Sequence, residues 1–368
     1  MKRIALSLIV CLMAATFAFT QAAKTADKAA PASAPVAAPT SGPGYHLLNS
    51  YPLGGEGGWD YLTADATSRR LYISRGTRAM VIDLDTFKLL GEVPAGQGVH
   101  GIAVATEVNK GYISNGRDNT VTVFDLKTLK PIGTPIATGQ NPDAIVYDDV
   151  TKQILTMNGR SGDVTVINTK DDSVAGTVKI GDKAKLEFAG NDKEGNVYIN
   201  VEDKNTLAKI DPKKLTLLNN WPMEGCDEPS GLSVDNVKKR NPRIISVCGG
   251  SNTMVITDGV TGKQIAKVPI GKGTDAAGFD PKTGFAFSSN GEGNVTVVRE
   301  EAGDKYSVAE TFDTQLRART MTFDAKTQNV ITVTAKFAIP PAATADAPRP
   351  RPQMEKDSFV LLVYGPKK

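Results

Sequence analysis

The chain has 368 residues, of which 40% are hydrophobic and 23% are charged, a composition typical of a soluble protein with enough apolar material for a core. Its formal net charge is +3, and removal of the two positive charges of Lys2 and Arg3 would leave +1. This balance excludes a strong general attraction to nucleic acid or to membranes, so any such interaction must depend on local patches.

The first residues predict an exported protein. Lys2 and Arg3 give a positive start, and the run 4–19 is almost entirely apolar. Small residues follow at 20–23, so residues 1–23 are predicted to be a signal peptide that is cleaved after Ala22 or Ala23. The apolar run is short for a bilayer span, and an uncleaved anchor is the alternative. We expect a periplasmic or secreted protein with no membrane span in its mature form.

Two segments are predicted to lie outside regular structure. Residues 24–44 are rich in Ala, Pro, Lys, Ser and Thr and are predicted to be a disordered linker. Residues 338–357 have a similar composition and are predicted to be a flexible Pro-rich insertion. The folded domain is therefore expected to span residues 45–368, with this insertion in its last repeat.

Self-similarity with a period of roughly 43 residues is the clearest pattern in the chain. Seven units begin near Gly54, Gly96, Gly139, Gly181, Glu224, Gly271 and Gln315, at intervals of 42 to 47 residues. The second unit contains four strand-like runs, at 102–104, 111–114, 120–125 and 128–133. Four short strands per repeat predict an all-β fold, a seven-bladed β-propeller of four-stranded antiparallel blades.

The repeats also predict particular turns. Asn115 and Gly116 are expected to form a hairpin turn, because both residue types tolerate a positive φ. An aspartate ends the third strand of several units and can accept hydrogen bonds from the backbone of the turn that follows. These aspartates are Asp83, Asp125, Asp211 and Asp258.

The seventh unit contains only three strand-like runs, at 319–323, 330–335 and 359–364. Its fourth strand is predicted at 45–53, directly after the linker. Pairing of the N- and C-terminal strands would close the ring and remove the exposed sheet edges that promote aggregation.

The repeat motif resembles that of the YVTN β-propeller repeat family (YncE-like). The second unit has Tyr112-Ile113-Ser114-Asn115-Gly116 followed by NTVTVFD at 119–125, and NTMVITD at 252–258 is nearly the same. The resemblance covers about residues 45–368, and unit four departs from it. The family implies an exported propeller without one shared chemistry. Some relatives resemble ligand- or nucleic-acid-binding propellers and others non-catalytic subunits of redox enzymes, so the fold does not decide the function.

One residue of each unit is predicted to face the central channel, at the start of the innermost strand. In ring order these are Asp60, His100, Asp143, Lys185, Ser230, Asp275 and Arg319. His100 lies between two aspartates in this order, Lys185 is beside Asp143, and Arg319 is between Asp275 and Asp60. Such alternation favours ion pairs between blades. Carboxylates and a histidine are also metal ligands, so a metal site is the alternative, although no cofactor is predicted.

A basic arc is predicted on the loops at the same end of the ring. It contains Arg75, Arg117 and Arg160 from the first three units and Arg319 from the seventh. Guanidinium groups suit phosphates and carboxylates. We therefore predict that these arginines bind a ligand together with the ring residues Asp60, His100, Asp143 and Asp275. Solvated loops without a ligand are the alternative.

A disulfide is predicted between Cys226 and Cys248, the only cysteines left once the leader with Cys11 is removed. An exported chain is expected to lie in an oxidising compartment. Cys226 precedes the first strand of unit five and Cys248 ends its second strand. Antiparallel pairing can bring the two Cα atoms within about 4.4–6.8 Å, as a disulfide requires. Two free, buried cysteines are the alternative.

Catalytic signatures are missing from the sequence. Its histidines are His46 and His100, and it has neither a CxxCH haem motif nor a G-x-S-x-G motif. The sequence therefore favours a non-enzymatic binding or scaffold protein of the cell envelope, with an envelope protein or a small anionic ligand on the loop face. A metal-dependent propeller hydrolase or lactonase is the first alternative. Single-stranded nucleic-acid binding is the second, and the aromatic share of 6% weakens it.

Overall fold

The structure is a computed structural model that describes residues 42–237, 239–339 and 352–367. The predicted signal peptide, most of the predicted linker and residues 340–351 of the predicted insertion lie outside these ranges. The described residues form strands and two short 3-10 segments, Thr106–Val108 and Glu202–Lys204. No described helix has the length and hydropathy needed to cross a membrane.

The described ranges contain 27 β-strands. The first fourteen are β1 (His46–Pro52), β2 (Leu62–Asp65), β3 (Arg70–Ser74), β4 (Gly76–Asp83), β5 (Leu89–Ala105), β6 (Lys110–Asn115), β7 (Thr120–Asp125), β8 (Ile136–Ala137), β9 (Pro142–Asp148), β10 (Gln153–Asn158), β11 (Asp163–Asn168), β12 (Val174–Lys179), β13 (Leu186–Asn191) and β14 (Val197–Val201). The remainder are β15 (Thr206–Asp211), β16 (Thr216–Pro222), β17 (Pro229–Asp235), β18 (Arg243–Cys248), β19 (Thr253–Asp258), β20 (Gln264–Pro269), β21 (Thr274–Phe279), β22 (Ala286–Asn290), β23 (Asn294–Glu301), β24 (Lys305–Asp313), β25 (Met321–Asp324), β26 (Asn329–Thr334) and β27 (Val360–Gly365).

The strands pair antiparallel in six sheets. Five sheets have four strands, in the orders β1-β27-β26-β25, β12-β11-β10-β9, β13-β14-β15-β16, β17-β18-β19-β20 and β21-β22-β23-β24. The sixth contains β2 to β8 in sequence order. Its strand β5 is 17 residues long and pairs with β4 and then with β6. The predicted all-β class and the repeated four-stranded antiparallel sheets are confirmed, and the arrangement is β-propeller-like.

The first and last strands of the described chain lie in one sheet. β1 pairs with β27 from His46 opposite Gly365 to Pro52 opposite Val360. The run 45–53 therefore supplies the fourth strand of the last repeat, as predicted. Gly44, the last residue of the predicted linker, donates its backbone N–H to the Glu310 carboxylate at 2.8 Å, so this end of the linker lies against the folded domain.

The fourth strand of the second unit differs from the prediction. Instead of a strand at 128–133, the structure has a single bridge between Phe124 and Pro131 and the two-residue strand β8 further on. Pro131 has no N–H to donate to a ladder, and Gly133 has a φ of 63° that turns the chain away. The strand pattern therefore stops at the proline and resumes at Ile136.

The aspartates at the ends of the third strands accept the predicted backbone hydrogen bonds. Asp125 Oδ1 accepts from the N–H groups of Lys127 at 2.9 Å and Thr128 at 2.7 Å. Asp83, Asp211 and Asp258 bond their following turns in the same way. These four repeats thus use a carboxylate to fix the turn into the fourth strand.

Asn115 has a different role from the one predicted. The positive φ of its hairpin belongs to Asn119, at 54°, and not to Asn115 or Gly116. The buried Asn115 amide accepts from Gly96 N–H at 3.1 Å and donates to the hydroxyls of Thr120 and Thr122. Asn115 therefore joins β6 and β7 to the backbone of Gly96 in β5.

The apolar core lies between neighbouring sheets. One cluster contains Leu155 and Val166 from β10 and β11 with Ile199 and Ile210 from β14 and β15. The first strands of neighbouring units contact one another: β5 and β25 lie beside β2, β9 beside β5, β13 beside β9, β17 beside β13, and β21 between β17 and β25. These contacts bring together the starts of the first strands, where the predicted channel residues lie.

The predicted disulfide is present. Cys226 and Cys248 are bonded, with Cα atoms 5.2 Å apart, and both are fully buried. Cys248 ends β18 opposite Pro229, which begins β17, so the antiparallel register brings the two cysteines to the same edge.

Candidate functional site

Serine hydroxyls of the second strands hold the predicted channel residues in place. Ser74 Oγ, at the end of β3, accepts a hydrogen bond from the backbone N–H of Asp60 at 2.8 Å. Ser114 Oγ, on β6, donates to the carbonyl of Asp143 at 2.7 Å and accepts from Gly101 N–H at 2.9 Å. One hydroxyl thus joins two neighbouring units, and it fixes the backbone from which the Asp143 side chain projects.

His100 lies between Asp60 and Asp143, as the ring order predicts. Its Nδ1 is 2.6 Å from Asp60 Oδ2 and 3.7 Å from Asp143 Oδ1. The three side chains are partly buried, with exposed fractions of 25%, 30% and 16% for His100, Asp60 and Asp143. Only the Asp60 distance is short enough for a hydrogen bond.

The imidazole ring of His100 is seated on Gly116. A Cβ at Gly116 would lie 2.6 Å from Nε2, so the ring can occupy this position only because residue 116 has no side chain. Burial by itself would lower the pKa of His100, but the Asp60 hydrogen bond and the two carboxylate charges raise it overall. Burial and then the charge of Asp60 raise the pKa of Asp143 to about 6.

Lys185 pairs with two glutamates and not with Asp143 beside it in the predicted ring. Its Nζ is 3.1 Å from Glu187 Oε1 and makes a close ion pair with Glu202. Glu187 is the second residue of β13, and Lys185 immediately precedes this strand. Burial, followed by the charge of Asp143, raises the pKa of Glu187 well above its usual range. Burial by itself would raise the pKa of Glu202, but hydrogen bonds with Glu187 and Lys185 lower this pKa overall.

The remaining ring residues form a second group. Ser230 Oγ donates to Asp275 Oδ1 at 3.1 Å, and Arg319 Nε lies 3.4 Å from Asp275 Oδ2. Arg319 is the more exposed partner, with 58% of its side chain accessible. Burial raises the pKa of Asp275 to about 6, although the charge of Arg319 opposes this shift.

These groups line an acidic cavity of about 260 Å³. Its walls contain the carboxylates of Asp60, Asp143, Glu187, Glu202, Glu228 and Asp275 but the cationic groups of Lys185 and Arg319 alone among the lining residues. Both cations already pair with carboxylates of this cavity. The cavity therefore favours a cation and disfavours an anion.

An aromatic pair separates this acidic cavity from a second one. The rings of Tyr61 and Phe188 lie with centroids 4.8 Å apart. Together with Leu62 and Met321 they line both the acidic cavity and a cavity of about 480 Å³ formed by the first strands. The space between the first strands is thus divided by apolar side chains.

Arg75 is not on the loop surface, contrary to the prediction for the basic arc. It is fully buried, and its Nη2 donates to the carbonyls of Gly55 at 3.0 Å and Glu56 at 3.1 Å. Its guanidinium also lies 3.8 Å from the ring centroid of Phe359. Since Arg75 is enclosed by backbone and an aromatic ring, a ligand on the loop face cannot reach it.

Arg117 and Arg160 share a surface pocket of about 290 Å³, which is the part of the basic arc that the structure brings together. The other lining residues are Gly116, Asn119, Gln140 and Asn141. Both arginines are exposed, and neither guanidinium has a partner within the described ranges. Gly116 also carries the His100 ring, so this arginine pocket lies next to the acidic cavity.

Glu187, Tyr61 and Phe188 are among the site residues that were not predicted from the sequence. Glu187 could have been found from its position two residues after the predicted channel residue Lys185, in an extended segment. Tyr61 and Phe188 come from different units, so their contact depends on how the sheets are arranged around one another. No pattern within a single repeat indicates that contact.

Comparisons with known proteins identify a family and a fold. The profile of a family described as a domain of unknown function (DUF5074) matches residues 62–281. No curated protein matches the chain. Among solved structures, hydrazine synthase from Kuenenia stuttgartiensis is similar, with 16% sequence identity and a TM-score of 0.61 over 82% of this chain and 95% of that chain. At this identity the likeness shows a β-propeller-like fold and nothing about activity.

Proposed function

The chain belongs to the DUF5074 family, and we propose that it is a non-enzymatic binding or scaffold protein of the cell envelope that takes an anionic ligand on its loop face. The observation that carries this proposal is the arginine pocket, in which Arg117 and Arg160 are exposed and unpaired among the described residues. Guanidinium forks bind carboxylates and phosphates through charge-assisted hydrogen bonds.

The proposal includes a closed ring of seven four-stranded blades of the YVTN type. In this arrangement the seven-stranded sheet is two blades that share β5, which pairs first with β4 and then with β6. The contact of β25 with β2 supports closure of the ring, as does the apolar cluster that includes Ile73 and Leu361. Such a ring collects loops from successive blades on one face.

An envelope location is supported by two observations. The positive and apolar start of the chain is typical of a secretory signal peptide. The disulfide between Cys226 and Cys248 is of the kind that persists in oxidising compartments. A partner protein of the envelope could present the anionic group.

The structure separates the predicted ligand-binding residues into two sets. Asp60, Asp143 and Asp275 line the acidic cavity, where like charge would repel an anion. We therefore assign the anion to the arginine pocket. Arg319 is paired with Asp275 and lies on the cavity wall, so we assign it no primary role in holding the anion.

Isothermal titration of the mature protein with inorganic phosphate tests this assignment. We expect Arg117→Ala with Arg160→Ala to weaken phosphate binding at least tenfold, because charge-assisted hydrogen bonds contribute about 1.5–3 kcal/mol each. Added salt should weaken binding to the wild type. The matched control is Lys127→Ala with Lys130→Ala, which removes the same charge at the other end of β7.

Equal phosphate affinity in the arginine double variant and the lysine control would eliminate this site.

The two alternative functions have different support. The walls of the arginine pocket contain no aromatic side chain on which a base could stack, so they do not favour single-stranded nucleic acid. A metal-dependent hydrolase is favoured by the meeting of Asp60, His100 and Asp143, but a metal there would be equally compatible with a binding protein.

A further inference from the structure

Two carboxylates from different units converge on one imidazole nitrogen at the wall of the acidic cavity. Asp60 Oδ2 and Asp143 Oδ1 lie 2.6 Å and 3.7 Å from His100 Nδ1, and the three donor atoms are all within 4.8 Å of one another. Donors that surround a zinc ion at about 2.0–2.2 Å in a tetrahedral site are roughly 3.4 Å apart. The spacing here therefore needs only small side-chain movements to accommodate an ion.

The net negative charge of the cluster formed by Asp60, His100 and Asp143 also favours binding of a cation. His100 forms a hydrogen bond with Asp60 alone, because Asp143 is too distant. Even a protonated imidazole would leave one of the two carboxylate charges unbalanced. The cationic groups of the same cavity form their ion pairs outside the cluster, Lys185 with glutamates and Arg319 with Asp275. The charges of Lys185 and Arg117 act on the cluster through space but form no ion pair with it.

The three donors are held in position by their surroundings. The imidazole of His100 rests on Gly116, in space that a Cβ would fill, and its Nδ1 is directed toward the carboxylates. Asn141 Nδ2 lies 3.5 Å from Asp143 Oδ2, and Tyr61 lines the same cavity as this carboxylate. Such outer contacts orient metal ligands and are a feature of real metal sites.

We propose that Asp60, His100 and Asp143 bind one divalent transition ion of the zinc class, through one oxygen of each carboxylate and Nδ1 of the imidazole. A nitrogen donor with two carboxylates suits zinc-type ions, whereas calcium and magnesium prefer oxygen donors alone. The ion takes the place of the proton that Nδ1 and Asp60 share, and this proton is released to solvent. Water from the adjoining cavity of about 260 Å³ completes the coordination. The proposal does not rest on the proposed anion pocket, although Gly116 and Asn141 adjoin both sites.

Titration of the metal-stripped mature protein with Zn²⁺ by calorimetry tests the proposal, with a purification tag that contains no histidine. We expect one zinc ion per chain in the wild type. His100→Gln and Asp143→Asn should each weaken zinc binding at least tenfold. The matched controls are His46→Gln, which changes the exposed histidine of β1, and Asp275→Asn, which removes a carboxylate of the same cavity outside the cluster; both should bind zinc within about threefold of the wild type.

Melting curves without and with Zn²⁺ show whether each variant is folded. We expect zinc to raise the melting temperature of the wild type and of both controls, but not of His100→Gln or Asp143→Asn. Absence of stoichiometric zinc binding to the wild type would overturn the proposal on its own, even if a variant fails to fold. Unchanged affinity in the folded Asp143→Asn variant, or loss of binding in His46→Gln, would place the metal elsewhere.

Discussion

At the scale of single residues, burial opposes the ionisation of three cavity carboxylates, those of Asp143, Glu187 and Asp275, and raises the pKa of each. Asp275 shows this most clearly, because burial raises its pKa from 3.8 to about 6 in spite of Arg319. The folded protein therefore keeps a proton on Asp275 at a pH where the unfolded chain has lost it. By linkage, the contribution of Asp275 to stability is most favourable below the pKa of the unfolded chain and falls as the pH rises toward 6, after which its cost is constant.

Asp275→Asn is accordingly expected to stabilise the protein at neutral pH. The amide can still accept the Ser230 hydrogen bond but carries no charge to bury, so the gain should be about 1–3 kcal/mol at pH 7.5 and close to zero at pH 4. Urea unfolding of wild type and variant at both pH values measures this difference. A gain that is the same at pH 4 and pH 7.5 would contradict the ionisation argument, and Asp182→Asn, on an exposed turn, serves as the control.

The disulfide also acts at the residue scale. Replacing both Cys226 and Cys248 by serine is expected to lower the unfolding free energy by about 3 kcal/mol, since the bond closes a loop with a sequence separation of 22. Two buried hydroxyls would add a smaller penalty. Chemical denaturation with and without reductant measures the effect in the wild type. If the reductant shifts the wild-type midpoint no more than that of the double-serine variant, the bond does not stabilise the fold.

The positions of some site residues could be predicted from the sequence, whereas the burial of others could not, because burial depends on contacts between distant parts of the chain. The ring position of His100 follows from counting repeats, so its place between Asp60 and Asp143 could be predicted. The burial of Arg75 could not, because it depends on carbonyls of the segment before β2 and on Phe359 from the far end of the chain. The residue type predicted an exposed Arg75, but contacts with residues distant in sequence bury its side chain.

At the scale of strands, the register between β1 and β27 is the feature that joins the two ends of the folded chain. Deleting residues 42–53 should leave β27 as an unpaired edge strand, and we expect this variant to aggregate and to melt at a lower temperature. Light scattering during thermal unfolding measures both effects. Deleting residues 24–41 is the control and should leave the melting temperature unchanged.

A monomeric 42–53 deletion with wild-type melting behaviour would show that β1 is dispensable.

The strands themselves were largely predictable, because the repeated pattern fixes their spacing to within a few residues. The fourth strand of unit two was misplaced because the prediction allowed Pro131 inside a strand. Asn115 was assigned to a turn for its tolerance of positive φ, whereas its buried amide bonds two strands together.

At the scale of the whole molecule, loops and first strands from several units create two adjacent environments of opposite charge. The acidic cavity lies between the first strands, and the arginine pocket lies beside it on the loops of units two and three. Neither environment is visible within one repeat, because each combines side chains of several units. The division of the inner space by Tyr61 and Phe188 has the same origin. Such features require the arrangement of the sheets as well as the repeat.

We propose that the loop face binds an anion between Arg117 and Arg160. The most direct test of this proposal is an anomalous difference map from crystals soaked in sodium tungstate, whose anion is readily located by its scattering. We predict a tungstate peak within hydrogen-bond distance of both guanidinium groups, and its absence from crystals of the Arg117→Ala, Arg160→Ala variant. Tungstate peaks at other cationic groups with none between Arg117 and Arg160 would contradict the account.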